Sequence, residues 1–224
     1  MARILITAGP TYEPIDAVRF LGNRSSGRLG SAVADRAEQL GWEVRVLLGP
    51  HAIEPTGKGI EAFRFATTED LQIALSQHLA WCDCLVMSAA VADFRPVIGA
   101  GDLDGKRRRS GGDLTIQLES TPDLLAGCSE VARADQLLVG FALEPRDRLD
   151  VSARSKLSKK NIDLIVANPL ETMDSTTIDA RMIGNPDRGI DFDQTTDGPI
   201  SKDDFASWLL GHLEGLVAQR TLNT

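Results

Sequence analysis

The chain has 224 residues, 42% of them hydrophobic and 25% charged, so it can bury a substantial core without disulfides or metal ions. Its formal net charge of -8 argues against a nucleic acid partner, because an acidic surface repels a phosphate backbone. The sequence enters a strand pattern directly instead of a signal peptide, and no apolar run reaches the length of a membrane span, so we expect no membrane association.

The sequence contains three cysteines, Cys82, Cys84 and Cys128. An odd number without a secretory signal favours free thiols in a reducing compartment, and we therefore expect a cytoplasmic protein. Cys82 and Cys84 have no second cysteine pair nearby, so thiols packed at the start of a strand are favoured over a zinc site.

Strand and helix patterns alternate along the chain. Strands are predicted at residues 3–7, 43–48, 62–66, 84–90, 114–119, 137–142 and 164–167, with weaker patterns at 181–183 and 190–192. Helices are predicted at residues 26–40, 68–80, 122–134, 147–160 and 203–218. Gly41 is expected to end the first helix and Thr121 to cap the third. The glycine-rich segment 95–113 predicts a long loop.

Repeated βα units predict an α/β fold of the Rossmann-like, doubly wound type, with a mostly parallel sheet and helices on both faces. No linker or internal repeat divides the sequence, so residues 1–224 are expected to form a single domain. Such sheets bind ligands beyond the carboxyl ends of their strands. The candidate segments are therefore residues 8–30, 89–109 and 141–160.

The first candidate segment opens a predicted helix with Ser25, Ser26 and Gly27, close to Arg24 and Arg28. Backbone N–H groups at a helix start suit a phosphate, and hydroxyl groups and arginines add to that. The alternative is that a serine only caps the helix and that the glycines only allow close packing on the sheet. Spacing alone favours phosphate binding slightly.

The second segment places Ala89, Ala90 and Asp93 at the end of a predicted strand. Small residues let a ligand approach the backbone, and Asp93 would bind a ribose hydroxyl or a magnesium ion. An aspartate that closes a turn or pairs with Arg95 is an equally good interpretation. The basic residues 106–109 that follow are either solvated or part of a loop that closes over phosphates.

The third segment places Lys156 and Lys160 four residues apart on a predicted helix, so that both ammonium groups share one face. Two lysines on one face repel each other unless an anion lies between them. The alternative is an exposed basic helix end, which the helix dipole favours.

The sequence lacks the signature motifs of several enzyme classes. The glycine pattern of dinucleotide-binding folds is absent after the first strand, as is a Walker A motif, and Tyr12 has no lysine four residues on. The three histidines lie far apart, so a hydrolase triad is not indicated.

Taken together, these segments resemble the phosphopantothenoylcysteine synthetase family, which forms the ligase half of the bifunctional bacterial flavoprotein of coenzyme A biosynthesis. The resemblance rests on residues 9–11, 13–16, Arg19, 23–27, 89–96, 114–125, 140–142, 156–157 and 160–168. It runs in order from residue 3 to about 168 and is weaker beyond.

The resemblance implies a stand-alone ligase that joins 4'-phosphopantothenate to L-cysteine through an acyl nucleotidylate. It implies CTP rather than ATP as co-substrate, Mg²⁺ bound mainly through nucleotide phosphates, no flavin, and a homodimer. The implied catalytic residues are Asn23, which hydrogen-bonds the acyl intermediate, and Lys106, on a closing loop. The implied nucleotide-binding residues are Asp93, Phe141, Lys156, Lys160, Ser25, Ser26 and Gly27. The implied residues for the other substrate are Arg19, Asn23, Ala89 and Ala90.

This sequence also departs from the family pattern. Tyr12 replaces a frequent arginine, Arg107 to Arg109 replace Ile-Lys-Lys, and Leu143 to Pro145 replace Ala-Glu-Thr. These departures leave nucleotide preference open. Those near Lys106 and Ala142 motivate the alternative of a catalytically inactive nucleotide- or pantothenate-binding module.

Overall fold

The structure is a computed structural model that describes residues 1–99, 102–106 and 113–222. Its strands are β1 (Arg3–Ala8), β2 (Tyr12–Pro14), β3 (Phe20–Gly22), β4 (Glu43–Leu48), β5 (Glu61–Arg64), β6 (Cys84–Met87), β7 (Phe94–Pro96), β8 (Leu118–Ser120), β9 (Leu137–Glu144), β10 (Leu164–Pro169), β11 (Thr177–Ile178), β12 (Arg181–Gly184), β13 (Asp193–Thr195) and β14 (Ile200–Ser201). Its α-helices are α1 (Arg28–Gln39), α2 (Thr68–His78), α3 (Leu124–Val131), α4 (Leu149–Lys159) and α5 (Lys202–Leu222). Single 3-10 turns lie at Leu79–Trp81, Leu170–Thr172 and Pro186–Arg188.

The central sheet has the strand order β13, β12, β10, β9, β6, β1, β4, β5. The six strands from β10 to β5 are parallel, and β12 and β13 extend the sheet as antiparallel strands. From β1 the chain builds outward first through β4 and β5 and then through β6, β9 and β10. This order confirms the predicted Rossmann-like, doubly wound fold with a mostly parallel sheet.

Helices cover both faces of the sheet, as predicted. Successive strand residues point to opposite faces, so Ile4 and Ile6 join one buried cluster and Leu5 joins the other. Helices α1 and α5 pack on the first cluster, and α2, α3 and α4 pack on the second. Strands that are covered on both faces need nearly continuous apolar sequence, and this pattern is why these strands could be predicted from the sequence. Among the described helices, we find none with the length and apolar character needed to cross a membrane.

The start of α1 was predicted two residues too early. Gly27 has φ +70°, a left-handed conformation that cannot continue a helix, so α1 begins at Arg28. At the other end, Gly41 has φ +81° and its N–H donates to the carbonyl of Glu38 at 2.8 Å, which confirms it as the stop. Gly30 allows close packing on the sheet, because a Cβ there would lie 2.5 Å from the Cβ of Ala8.

Other boundaries also differ from the prediction. The predicted strand 84–90 ends at Met87, and of 114–119 only the last residues enter a strand, β8, which pairs with β7 inside the predicted loop. Residues 190–192 are not a strand; the pairing with β12 is made by β13. Asp123, not Thr121, caps α3: its carboxylate accepts from the N–H of Ala126 at 3.2 Å, whereas the Thr121 hydroxyl donates to the carbonyl of Ala92 at 2.5 Å.

The three cysteines are free and buried, as predicted. Burial raises the pKa of the Cys82 thiol to about 12 and that of Cys128 to about 11, and it raises the pKa of Cys84 well above its ordinary value. A thiolate is the reactive form of cysteine, so these side chains are structural groups of low reactivity.

We therefore expect the folded protein to resist a thiol-specific reagent at pH 8. With the pKa raised this far, the thiolate fraction is on the order of 10⁻³ or lower, and the sulfur atoms are shielded from solvent. A colorimetric thiol assay should detect almost no reaction in buffer and all three thiols in guanidinium chloride. Rapid modification of even one thiol in the folded state would contradict this expectation.

The sequence left the role of residues 170–200 open. In the structure, strands β12 and β13 from this region extend the sheet, and the buried carboxylate of Asp163 anchors them and α5. Asp163 accepts from the N–H of Leu138 at 2.7 Å and from Arg188 Nε at 2.7 Å, and it also pairs with Arg220 near the end of α5. One carboxylate thus joins β9, the turn after β12 and the last helix.

Candidate functional site

A cleft of about 800 Å³ opens at the carboxyl edge of the parallel strands. It is lined by the segments after β3, β6 and β10, by the starts of α1, α3 and α5, and by residues of β9 and the end of α4. The cleft lies next to the boundary between β1 and β6, where the chain changes its direction of winding. In doubly wound sheets this boundary is the usual ligand position. The predicted site residues in the lining are Asn23, Ser25, Ser26, Gly27, Ala89, Ala90, Asp93, Phe141, Lys156 and Lys160.

Asn23 connects two of the lining loops. Its side-chain amide donates to the carbonyl of Val91 at 2.8 Å, and the residue is exposed to the cleft. This contact joins the segment between β3 and α1 to the loop after β6, and it holds the amide in one direction.

The start of α1 has no side-chain cap. The hydroxyl groups of Ser25 and Ser26 lie at 3.4 and 3.5 Å from the backbone nitrogens of Gly27 and Arg28, too long for strong hydrogen bonds. The alternative that a serine simply caps the helix is therefore not realised. Backbone N–H groups at an uncapped helix start offer a binding position to an anion.

The loop after β6 is held by two threonines, one in β1 and one shortly after it. The hydroxyl of Thr7 accepts from the N–H of Ala89 at 3.1 Å, and the hydroxyl of Thr11 accepts from the N–H of Ala92 at 3.0 Å. Further along, Arg95 pairs with Glu119 at 2.8 Å, so the alternative of an Asp93–Arg95 pair is not realised. The Asp93 side chain is exposed in the cleft lining.

Lys156 in α4 and Lys160 directly after it both line the cleft, as expected for two side chains on one face, whereas Lys159 is exposed and outside the lining. The ammonium group of Lys156 lies 2.6 Å from Glu144 Oε1, and this hydrogen bond lowers the pKa of Glu144. Lys160 pairs with Asp123, the cap of α3. Neither carboxylate was predicted as a partner, although both lie in segments that carry the family resemblance or a departure from it.

Two predicted residues lie outside the cleft lining. Arg19 donates through Nε to Asp16 at 3.0 Å, and Asp16, with a fully buried side chain, also accepts from the N–H of Arg19 at 2.8 Å. These contacts build the turn between β2 and β3. Lys106 is exposed, and the loop is attached there through the carbonyl of Gly105, which accepts from the N–H of Ala17 at 3.3 Å. The neighbouring residues 107–109 lie outside the described residues.

The cleft also contains residues that sequence reasoning missed. Thr172, Asp174 and Lys202 come from the tail of the chain, and Asp174 pairs with Arg24. The tail has weak patterns and no recognised motif, so no local signal marks them. The departure at Tyr12 also has a structural explanation, because its ring stacks on Phe20 with centroids 3.7 Å apart.

Comparison with known proteins gives the family context. The family model for the DNA/pantothenate metabolism flavoprotein C-terminal domain matches residues 1–214. The chain is 42% identical over 169 residues to a cysteine/cysteine sulfinic acid decarboxylase from an unidentified prokaryote, covering 75% of this chain and 46% of that protein. It is 39% identical over 168 residues to the coenzyme A biosynthesis bifunctional protein CoaBC of Bacillus subtilis, covering 75% of this chain and 40% of that protein.

A solved structure resembles the whole chain. The crystal structure of the C-terminal domain of the coenzyme A biosynthesis bifunctional protein CoaBC superposes with a TM-score of 0.79 at 32% identity. The match covers 97% of this chain and 96% of that domain. By contrast, the chain spans less than half the length of the two full-length relatives.

Proposed function

This chain belongs to the family of the DNA/pantothenate metabolism flavoprotein C-terminal domain, and on that basis we propose that it is a ligase that joins 4'-phosphopantothenate to L-cysteine in coenzyme A biosynthesis. The observation that carries the proposal is the cleft itself. It combines an oriented amide, an uncapped helix start and two lysines at the carboxyl edge of the sheet. Those groups match a reaction between two anionic substrates.

The proposed chemistry has two steps. A carboxylate oxygen of 4'-phosphopantothenate attacks the α-phosphorus of a nucleoside triphosphate, and pyrophosphate leaves. The amine of cysteine then attacks the acyl carbon of the acyl nucleotidylate, the nucleoside monophosphate leaves, and the amine loses a proton. The lysines on α4 reduce the repulsion between the two anions, and the cleft fixes their orientation. No protein nucleophile is needed for either step.

We assign the residues as follows. Lys156 and Lys160 bind the triphosphate, together with the segment Ser25, Ser26 and Gly27, and they exchange their carboxylate partners for phosphate oxygens. Asp93 and Phe141 contact the nucleoside. Asn23, Ala89 and Ala90 contact the phosphopantothenoyl group, Lys106 belongs to a loop that closes over it, and Arg19 assists from the β2–β3 turn.

CTP is the proposed nucleotide, with Mg²⁺ held mainly by its phosphates and no flavin involved. Among the described residues, no group of three or more His, Cys, Asp or Glu side chains is placed to hold a metal ion. This fits Mg²⁺, which usually keeps its waters and binds through phosphates with one or two carboxylates. Asp93, exposed in the lining, is the carboxylate best placed to assist.

A cytoplasmic homodimer is the proposed state, with residues 1–224 as a single domain. The free, buried cysteines support a reducing compartment. The small sheets β2–β3 and β7–β8 expose large apolar side chains, including Phe20, Leu21, Phe94 and Leu118. Exposed apolar surface of this kind is typical of a subunit interface.

Pyrophosphate release by the purified protein tests the proposal. The assay contains Mg²⁺ and 4'-phosphopantothenate and compares CTP with ATP, with and without L-cysteine. We expect release that requires phosphopantothenate and is faster with CTP, with the cysteine adduct formed when cysteine is present. No release with either nucleotide would refute the ligase and favour the inactive binding module.

Lys160→Gln should weaken nucleotide binding roughly 10- to 100-fold, because it removes a charged donor to a phosphate. Lys159→Gln is the matched control on the same helix. It should change the dissociation constant by less than about threefold, since Lys159 is exposed outside the cleft lining. Calorimetric titration with CTP measures both. Equal effects of the two substitutions would refute the assignment of one lysine face to the nucleotide.

A further inference from the structure

Lys202 is a cation of the cleft that the proposed function has not used. It is the first residue of α5, it is half-buried, and it contributes to the cleft lining. Its backbone N–H donates to the carbonyl of Thr176 at 3.3 Å, which attaches the helix start to the segment that follows β10. The side chain is therefore held at the cleft by the fold.

The electrostatic surroundings of Lys202 are unfavourable without an anion. Burial lowers the pKa of its ammonium group, and the guanidinium of Arg28 lowers it further, while Asp174 acts in the opposite direction. The positive end of a helix dipole also disfavours a cation in the first turn. A charged group held against these effects in a cleft indicates a ligand.

Lys202 and Arg28 differ from the other cations of the cleft in their pairing. Arg24, Lys156 and Lys160 each form an ion pair with a carboxylate. Within residues 1–99, 102–106 and 113–222, neither Lys202 nor Arg28 forms an ion pair. An anion can therefore bind to Lys202 without displacing a carboxylate.

The fold places a second cation beside Lys202. Arg28 is the first residue of α1, and α1 and α5 pack together on the same face of the sheet. At the far end of α5, Arg220 donates to the carbonyl of Gln136 at 3.3 Å, next to the start of β9, so α5 runs away from the cleft in the same direction as α1. Lys156 lies in α4 on the opposite face of the sheet and Lys160 directly follows that helix, so the cleft has cations on both sides.

We propose that the ammonium group of Lys202, with Arg28 beside it, binds a phosphate group of a substrate on the α1–α5 side of the cleft. The inference rests on the proposed function, which brings two phosphate-bearing substrates into one cleft. Lys156 and Lys160 bind phosphate oxygens on the α4 side of the cleft, and Lys202 and Arg28 bind phosphate oxygens on the opposite side. The phosphate belongs either to the nucleotide or to 4'-phosphopantothenate, and separate titrations distinguish these sources.

The test compares the wild-type chain with Lys202→Gln, Lys202→Arg and Lys58→Gln, an exposed lysine outside the cleft lining. Each protein is titrated calorimetrically with inorganic pyrophosphate, with CTP and with 4'-phosphopantothenate. Lys202→Gln should weaken binding roughly 10- to 100-fold, and Lys202→Arg and Lys58→Gln should change it by less than about threefold. If the binding of pyrophosphate and CTP weakens, the phosphate at Lys202 belongs to the nucleotide. If only the binding of 4'-phosphopantothenate weakens, it belongs to that substrate.

Thermal unfolding separates this role from a structural one. The melting temperature of Lys202→Gln should equal or exceed that of the wild type, because the substitution removes repulsion from Arg28 and from the helix dipole. A lower melting temperature with unchanged binding would overturn the proposal, as would unchanged binding of all three ligands or no binding by the wild type. Pyrophosphate binding does not require turnover. If the wild-type chain shows no ligase activity but Lys202→Gln still binds pyrophosphate more weakly than the wild type, only the proposed function is refuted.

Discussion

Replacing Asn23 with aspartate should lower the turnover number for pyrophosphate release on the order of 10²- to 10³-fold, the usual effect of removing one preorganised donor in an active site. The amide of Asn23 donates to the carbonyl of Val91 at 2.8 Å, and a carboxylate cannot donate. It would face a carbonyl oxygen and the charges of the substrates. Nucleotide binding should persist, because Lys156 and Lys160 are unchanged.

The control for this experiment is Gln72→Glu, an amide-to-carboxylate change at an exposed position of α2 outside the cleft lining. It should leave turnover and CTP binding close to the wild-type values. Steady-state kinetics together with a CTP titration separate the loss of a catalytic contact from the loss of binding. If Asn23→Asp retains turnover within a few-fold of the wild type, the catalytic assignment of Asn23 is wrong.

Replacing Asp163 with asparagine should lower the free energy of unfolding by about 3–5 kcal/mol, the range found when one partner of a buried ion pair is removed. The Asp163 side chain is fully buried, and Arg188 and Arg220 contact it with side chains only 19% and 16% exposed. Asparagine would leave both guanidinium groups in these positions without their carboxylate. Equilibrium unfolding in urea, with tryptophan fluorescence as the signal, measures the difference.

Asp187→Asn provides the matched control, because Asp187 lies in the same turn as Arg188 but is exposed. Its expected effect stays within about 0.5 kcal/mol, as for ordinary surface positions. A loss below about 1 kcal/mol for Asp163→Asn would show that the carboxylate does not anchor the tail. The substitution should also loosen α5, and with it the position of Lys202.

Much of the candidate site was predictable from short motifs. Asn23, Asp93, Lys156 and Lys160 follow strand ends or share one helical face, and both features are local properties of the sequence. The roles of these residues remain predictions, but their convergence on one cleft follows from the parallel order of the strands. The carboxyl ends of β1, β6, β9 and β10 meet at the same edge of the sheet.

Partners of these residues were not predictable. Lys160 pairs with Asp123, 37 residues away, and Lys156 pairs with Glu144 on the preceding strand. Arg19 carries the right charge for a phosphate site, yet within this chain its side chain binds Asp16. A motif gives the type of residue, and its partner depends on which elements become neighbours.

By itself, the sequence determined the alternation of strands and helices, the doubly wound fold and the family, because apolar periodicity and ordered motifs are encoded in neighbouring residues. Only the tertiary structure decided that Asp163 joins the tail to the sheet and that Lys202 enters the cleft beside Arg28. Residues 28 and 202 line the same cleft because α1 and α5 pack side by side on one face of the sheet. Such contacts between distant residues depend on strand order and helix packing, which no local pattern specifies.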